Sequence, residues 1–292
     1  LVVGQPKFFA EINSILTFSS LNDLKNYLKW NLVRTFSPQL SSDFVNENFR
    51  FYGTVLTGAK ELKPRWKRIL KDADVSLGEA LGEVYVSKNF PPEAKKRCLE
   101  MVNNMQKVFR DRINKLDWMT SETKQKALAK LNSFMKKIGY PDKWKDYSNL
   151  TIDRSSYVQN VIRANKFDFN YMVNKIGKPV NKLEWGMTPP TVNAYYNPTL
   201  NEIVFPAGIL QPPFFDPNAD DAVNYGSIGA VIGHEMTHGF DDEGRQFDAE
   251  GNLKSWWMPK DSAEFMSKAG KVENQFNCYT VLNDVHVNGK LT

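Results

Sequence analysis

The sequence predicts an α+β chain that is mainly α, and three observations predict it. Apolar residues recur at helix spacing through most of the stretch before residue 175. A proline-rich connection follows, from Gly177-Lys178-Pro179 to Thr188-Pro189-Pro190. Beyond it the apolar period shortens to that of strands, over residues 192–196 and 202–205, before one further helix pattern centred on His234-Glu235-Met236-Thr237-His238. The expected organisation is a helical region over 1–186 and a second region over 187–292 with a small sheet and the motif helix.

Each element has its own signal. From residue 6 to about residue 50, Phe9, Ile12, Ile15 and Leu16, then Leu21, Leu24, Leu28 and Leu32, fall on helix faces. Residues 76–87 form the next expected helix, with Leu77, Ala80, Leu81 and Val84 on one side. Pro91-Pro92-Glu93 supplies a stiff start and an early acid for a helix reaching about residue 116, whose apolar row is Leu99, Val102, Met105, Phe109 and Ile113. Thr120 is the N-cap and Glu122 the first-turn acid of a helix expected to continue through Lys137. Gly139-Tyr140-Pro141 closes it, because glycine takes the left-handed cap and proline cannot continue. Another helix is expected over 155–173. The strands at 192–196 and 202–205 are joined by Asn197-Pro198-Thr199-Leu200-Asn201, as a hairpin or as two nearby strands. Turn-rich segments follow the motif, then Trp256 and Trp257, which read as packing, and a helix over 262–276.

Composition narrows the function classes. With 292 residues, 41% of them hydrophobic, the chain can bury one large core or two modest ones, and its 13% aromatic content excludes a disordered chain. The formal charge of +5 is unevenly spread. Lysine and arginine crowd residues 60–145, interleaved with acids as on solvated helix faces, and no nucleic-acid motif accompanies them. Nucleic acid is therefore not an expected partner. Around the motif acids dominate, with Asp241, Asp242 and Glu243 beside it, as at a site for a cation. Cys98 and Cys278 cannot form a disulfide framework; they can make at most one bridge, and read rather as two thiols. No apolar run approaches a membrane span, and the start at Leu1, with neither methionine nor a signal-like pattern, is that expected of a processed or truncated chain.

The motif carries the chemistry. Residues four apart on a helix lie one turn above each other, so His234 and His238 can present imidazole nitrogens to one metal ion. Glu235 sits one step round, where a carboxylate can take a proton from a metal-bound water. Tyr225, Ile228, Ile232 and Met236 form an apolar stripe that would bury the other side of this helix. The competing reading is a pair of hydrogen-bonded core histidines. A strand beside such a helix can pair with an extended peptide along its free edge, or can be an ordinary sheet strand without a ligand.

Several stretches together resemble the neprilysin (endothelin-converting enzyme) family of zinc metalloendopeptidases. They are Val192-Asn193-Ala194-Tyr195-Tyr196, Ile203-Val204-Phe205-Pro206-Ala207-Gly208-Ile209-Leu210-Gln211 and Gly233-His234-Glu235-Met236-Thr237-His238-Gly239-Phe240-Asp241-Asp242, with Leu116-Asp117-Trp118-Met119 and Gly139-Tyr140-Pro141 upstream. The resemblance implies a thermolysin-like (gluzincin) catalytic region and hydrolysis of internal peptide bonds by metal-activated water. It implies one Zn2+ per chain, held by His234 and His238, with Glu235 as the catalytic base. It makes Asn193 and Ala194 the edge that hydrogen-bonds the peptide substrate, and gives Asp241 and Asp242 an orienting role. The family's third ligand, a glutamate of an E-x-x-x-D helix, has no counterpart after the motif and is expected beyond Thr292, as is a later catalytic histidine. The missing C-terminal part of the same protein is thus an expected partner; His286 is a weaker substitute ligand. With only two cysteines the chain looks more like a bacterial member than a disulfide-rich animal ectodomain. The compartment is left open by the residues; the resemblance favours an extracytoplasmic one, periplasmic or secreted. An alternative of a different class is that this chain alone is an inactive fragment, acting only as a folded peptide-binding or structural module.

Overall fold

A computed structural model describes residues 3–291. Its helices and strands in chain order are α1 (Pro6–Phe18), α2 (Leu21–Phe36), α3 (Ser42–Asn48), α4 (Arg65–Asn89), α5 (Pro92–Lys115), α6 (Ser121–Asn132), β1 (Met135–Gly139), α7 (Tyr157–Val173), β2 (Tyr195–Asn197), β3 (Glu202–Pro206), α8 (Asp221–Gly226), α9 (Ile228–His238), α10 (Pro259–Asn277), β4 (Thr280–Leu282) and β5 (Val285–His286). The chain is α+β and mainly α, with a small sheet and an extended helical N-terminal part, as the sequence predicts.

The chain divides into two compact units. One runs up to Leu77 and resumes over Asp146–Lys178; the other holds Gly78–Lys145 and the chain from Pro179 onward. Helix α4 breaks at this junction, where Leu77 leaves the helical region at φ −136° and ψ 30°. The helix expected over 76–87 is therefore the second half of a longer one. In the first unit, Ser20 caps α2 by accepting from the Asp23 N–H at 3.1 Å, while Gln39 and Tyr157 both donate to Asp72. Phe18 and Trp30 of this unit stand largely in solvent.

The second unit contains the hydrophobic core. Val102, Leu131, Ile203, Phe205, Leu210, Ile228, Ile232 and Met236 are all fully buried and belong to one cluster. A three-stranded sheet in the order β1-β3-β2 lies within it. Strand β1 pairs parallel with β3 from Met135↔Glu202 to Gly139↔Pro206, and β2 pairs antiparallel with β3 from Tyr195↔Val204 to Asn197↔Glu202. The hairpin is as expected, and β2 is left with one free edge.

Two expectations are corrected here. The helix starting at Ser121 ends at Asn132 rather than continuing through Lys137, because residues 135–139 satisfy their backbone groups on β3, far downstream. Gly139 does take a left-handed conformation, at φ +79°, but it ends a strand, and a Cβ there would run into the Phe90 ring. The lysines of 60–145 are also not all solvated. Lys130 and Lys137 are buried, and Lys137 meets the buried Glu202 at 2.6 Å. Burial raises the Glu202 carboxyl above its ordinary range, opposed by the hydrogen bond and charge of Lys137.

Cys98 is buried and Cys278 exposed, both as free thiols; burial pushes Cys98 up to about 12. No helix among the described residues is long and apolar enough to cross a membrane.

Candidate metal centre

Helix α9 is laid down by its apolar stripe. Ile228 and Ile232 are 0% and Met236 1% exposed, which turns the opposite side of the helix outward. His234 stands exposed on that outer side, and His238 is half-buried one turn later. Their Nε2 atoms converge to 2.9 Å, with the rings nearly perpendicular at a centroid distance of 4.4 Å. Glu235, 5% exposed, lies between the two faces and points toward β2.

The turn after the helix fixes one of these rings. Asp241 Oδ2 lies 2.6 Å from His238 Nδ1, while Asp241 Oδ1 accepts from the N–H groups of Glu243 and Gly244 at 3.1 and 2.7 Å. A carboxylate only accepts, so the proton of the first contact belongs to His238 Nδ1, and in the neutral ring Nε2 is then the atom whose lone pair faces His234. Two imidazole nitrogens at 2.9 Å need a proton or a cation between them. A tetrahedral zinc with Zn–N bonds of about 2.0–2.1 Å would space its nitrogens by roughly 3.3 Å, wider than the 2.9 Å found, which is the length of an N–H···N hydrogen bond. The donor set, two imidazoles with a carboxylate orienting one, fits that ion.

Glu235 is suited to proton transfer. Burial raises its carboxyl above the ordinary range; His234, His238 and the facing Tyr196 backbone N–H pull it the other way. A cleft of about 320 Å³ brings these groups together with the strand edge, lined by Asn193, Ala194, Tyr195 and Tyr196 on one side and His234, Glu235, His238 and Asp241 on the other. Asn193 is exposed and Ala194 buried, and both precede β2, which starts at Tyr195. Of the two aspartates expected to orient the site, Asp241 touches it, whereas Asp242 is exposed and is not among the residues lining the cleft.

His286 hydrogen-bonds Thr280 at 3.3 Å within the β4–β5 hairpin. Among the described residues no group of three or more His, Cys, Asp or Glu side chains is placed to hold a metal ion. Sequence reasoning missed the backbone of Tyr196 and the lysine behind the turn, Lys130. A signal for Lys130 was present: it shares the i, i+4, i+7, i+8 row of α6 with Thr123, Ala127 and Leu131, all buried.

Sequence profiles of peptidase family M13 match residues 1–141, for the family's N-terminal part, and 193–292, for its peptidase part. The chain belongs to peptidase family M13. The endothelin-converting enzyme homolog of Locusta migratoria is 38% identical over 304 residues, covering 100% of this chain and 42% of that protein. Neprilysin-2 of Drosophila melanogaster is 38% identical over 299 residues, covering 94% of this chain and 38% of its own length. Among solved M13 structures, the Mycobacterium tuberculosis zinc metalloprotease Zmp1 in complex with an inhibitor superposes with a TM-score of 0.91 at 47% identity, over 99% of this chain and 44% of that one. The chain thus spans about two fifths of the length of the M13 relatives it matches.

Proposed function

We propose that this chain carries two of the zinc ligands, the base and the substrate edge of a zinc-dependent endopeptidase acting on peptides. The observation that carries the reading is the convergence of His234 and His238 Nε2 at 2.9 Å, beside a buried Glu235 and in one cleft with Ala194. Membership of family M13 supports it, as does the zinc metalloprotease named among the solved relatives. In this reading one zinc is held by His234 and His238, with the third protein ligand supplied beyond Thr292 by the rest of the same protein. The catalytic region comprises residues 187–292 and the helical region 1–186. An extracytoplasmic location is part of the same proposal and rests on the resemblance.

Each residue then has a task. A zinc bound here supplies Lewis acidity, polarising the scissile carbonyl and acidifying a water. Glu235 takes the proton of the attacking water on its carboxylate and hands it to the leaving amine. Its burial favours the first of these transfers, since a carboxylate raised above its usual range is a stronger base toward the water proton. His238 is kept in one tautomer by Asp241. Asn193 and Ala194, next to the free edge of β2, hold the substrate main chain in an extended form, so that binding is tolerant of its side chains.

Glu235→Gln in the full-length protein tests the assignment. Zinc content is expected to be kept while peptide turnover falls by about 10²–10⁴-fold, the usual share of a general base. Retention of both zinc and turnover would remove Glu235 from the mechanism. The fragment alternative is tested on this chain alone: tight stoichiometric zinc together with peptide cleavage would sink it.

A further inference from the structure

Lys130 takes no part in the chemistry above, yet it is 1% exposed and among the largest fully buried side chains described. We propose that Lys130 is a positioning residue of the metal centre, fixing the 241–247 turn and through it the Asp241 carboxylate and the His238 ring. The proposal rests on the zinc reading of the preceding section.

A short series of contacts leads from one group to the other. Lys130 Nζ donates to the Gly244 carbonyl at 2.6 Å and to the Phe247 carbonyl at 2.7 Å, clamping both ends of a single turn. The same Gly244 residue donates its N–H to Asp241 Oδ1 at 2.7 Å, and Asp241 Oδ2 meets His238 Nδ1 at 2.6 Å. There is little slack in this turn, because a Cβ on Gly244 would lie 1.7 Å from the His238 carbonyl oxygen. The carbonyl of Phe247 also accepts from Trp256 Nε1 at 2.8 Å, so the turn is held at two places by groups outside it.

The ammonium lies within 5.7–5.8 Å of the ring centroids of Tyr196, Phe240 and Trp256, where aromatic faces offset part of the cost of burying it. Burial lowers its pKa to about 8, against the pull of Asp241 and then Asp248. Lys130 has no carboxylate in hydrogen-bond contact among its described bonds; its donors go to main-chain oxygens. The carboxylate contact is what separates it from Lys137, which meets the buried Glu202 as well as the Glu184 carbonyl. A lysine serving only as an ion-pair member would have no reason to reach the turn that orients a ligand.

The test measures zinc affinity by chelator competition on the full-length protein. Lys130→Met keeps most of the apolar stem and removes the donors; its affinity is expected to fall about 10–100-fold, the range for loss of a group that orients a metal ligand. Lys137→Met removes the other buried lysine and is expected to lower stability while leaving zinc affinity unchanged. Combined with Asp241→Asn, Lys130→Met should add little further loss, since both act through one carboxylate. Should Lys130→Met not fold, Lys130→Gln, which keeps an amide donor group on a shorter stem, is expected to fall between wild type and Asp241→Asn. Wild-type affinity in a folded Lys130 variant, or full additivity with Asp241→Asn, overturns the proposal alone. A wild-type protein that binds no zinc overturns it together with the zinc reading.

Discussion

The two sides of α9 follow opposite rules. One side, carrying Ile228, Ile232 and Met236, is apolar and closed to solvent, and its geometry is set by packing. The other, carrying His234 and His238, is open, polar and held by few directional contacts, all of them at its C-terminal end. Glu235 sits at the border, buried like the first side and polar like the second. Stability is therefore invested in one side and chemistry in the other, and substitutions on the two should separate cleanly.

The largest expected effect is on the open side. His238→Ala should abolish tight zinc binding, a loss beyond the roughly 10–100-fold of an orienting residue, while leaving the fold intact because the ring is only half-buried. Equilibrium zinc titration with thermal unfolding of the metal-free protein reads both quantities. Ile232→Ala should behave in reverse: about 2–5 kcal/mol of stability lost to the cavity, with the folded protein still binding zinc as wild type does. If Ile232→Ala weakened zinc binding as much as His238→Ala, the separation of the two sides would be false.

A smaller effect sharpens the same comparison through pH. The pKa of Lys130 drops from 10.5 to about 8 on folding, so between these values the unfolded chain binds more protons than the folded one. Stability contributed by this group then rises with pH across that window and is flat below it. Denaturant unfolding of wild type and Lys130→Met from pH 7 to 10.5 should show the difference shifting toward wild type as pH rises. A constant difference would mean that the buried ammonium is not disfavoured.

The sequence made some of this architecture legible and hid the rest for physical reasons. The α9 stripe and motif could be read because a helix face is a local property, and so could the β2–β3 hairpin, whose strands are neighbours in sequence. Strand β1 was hidden: Met135-Lys136-Lys137-Ile138 follows a strong helix pattern, and only its partner β3, far along the chain, makes it a strand. The burial of Lys130 could be read from its row on α6, but its partners could not, since Gly244 and Phe247, the groups that accept from it, are distant in sequence. Asp241 was visible as an acid near the motif, but its single contact with His238 depends on the turn that follows. Local periodicity thus located the histidines, and long-range contacts decide how they are held.

A crystal of the full-length protein measured on both sides of the zinc absorption edge tests the zinc assignment at His234 and His238. One anomalous peak per chain is expected, about 2.0–2.1 Å from the Nε2 atoms of both His234 and His238, with Asp241 on His238 Nδ1 and Glu235 beside the metal rather than bound to it. A peak that excludes either histidine, or one ligated by Glu235, would contradict it.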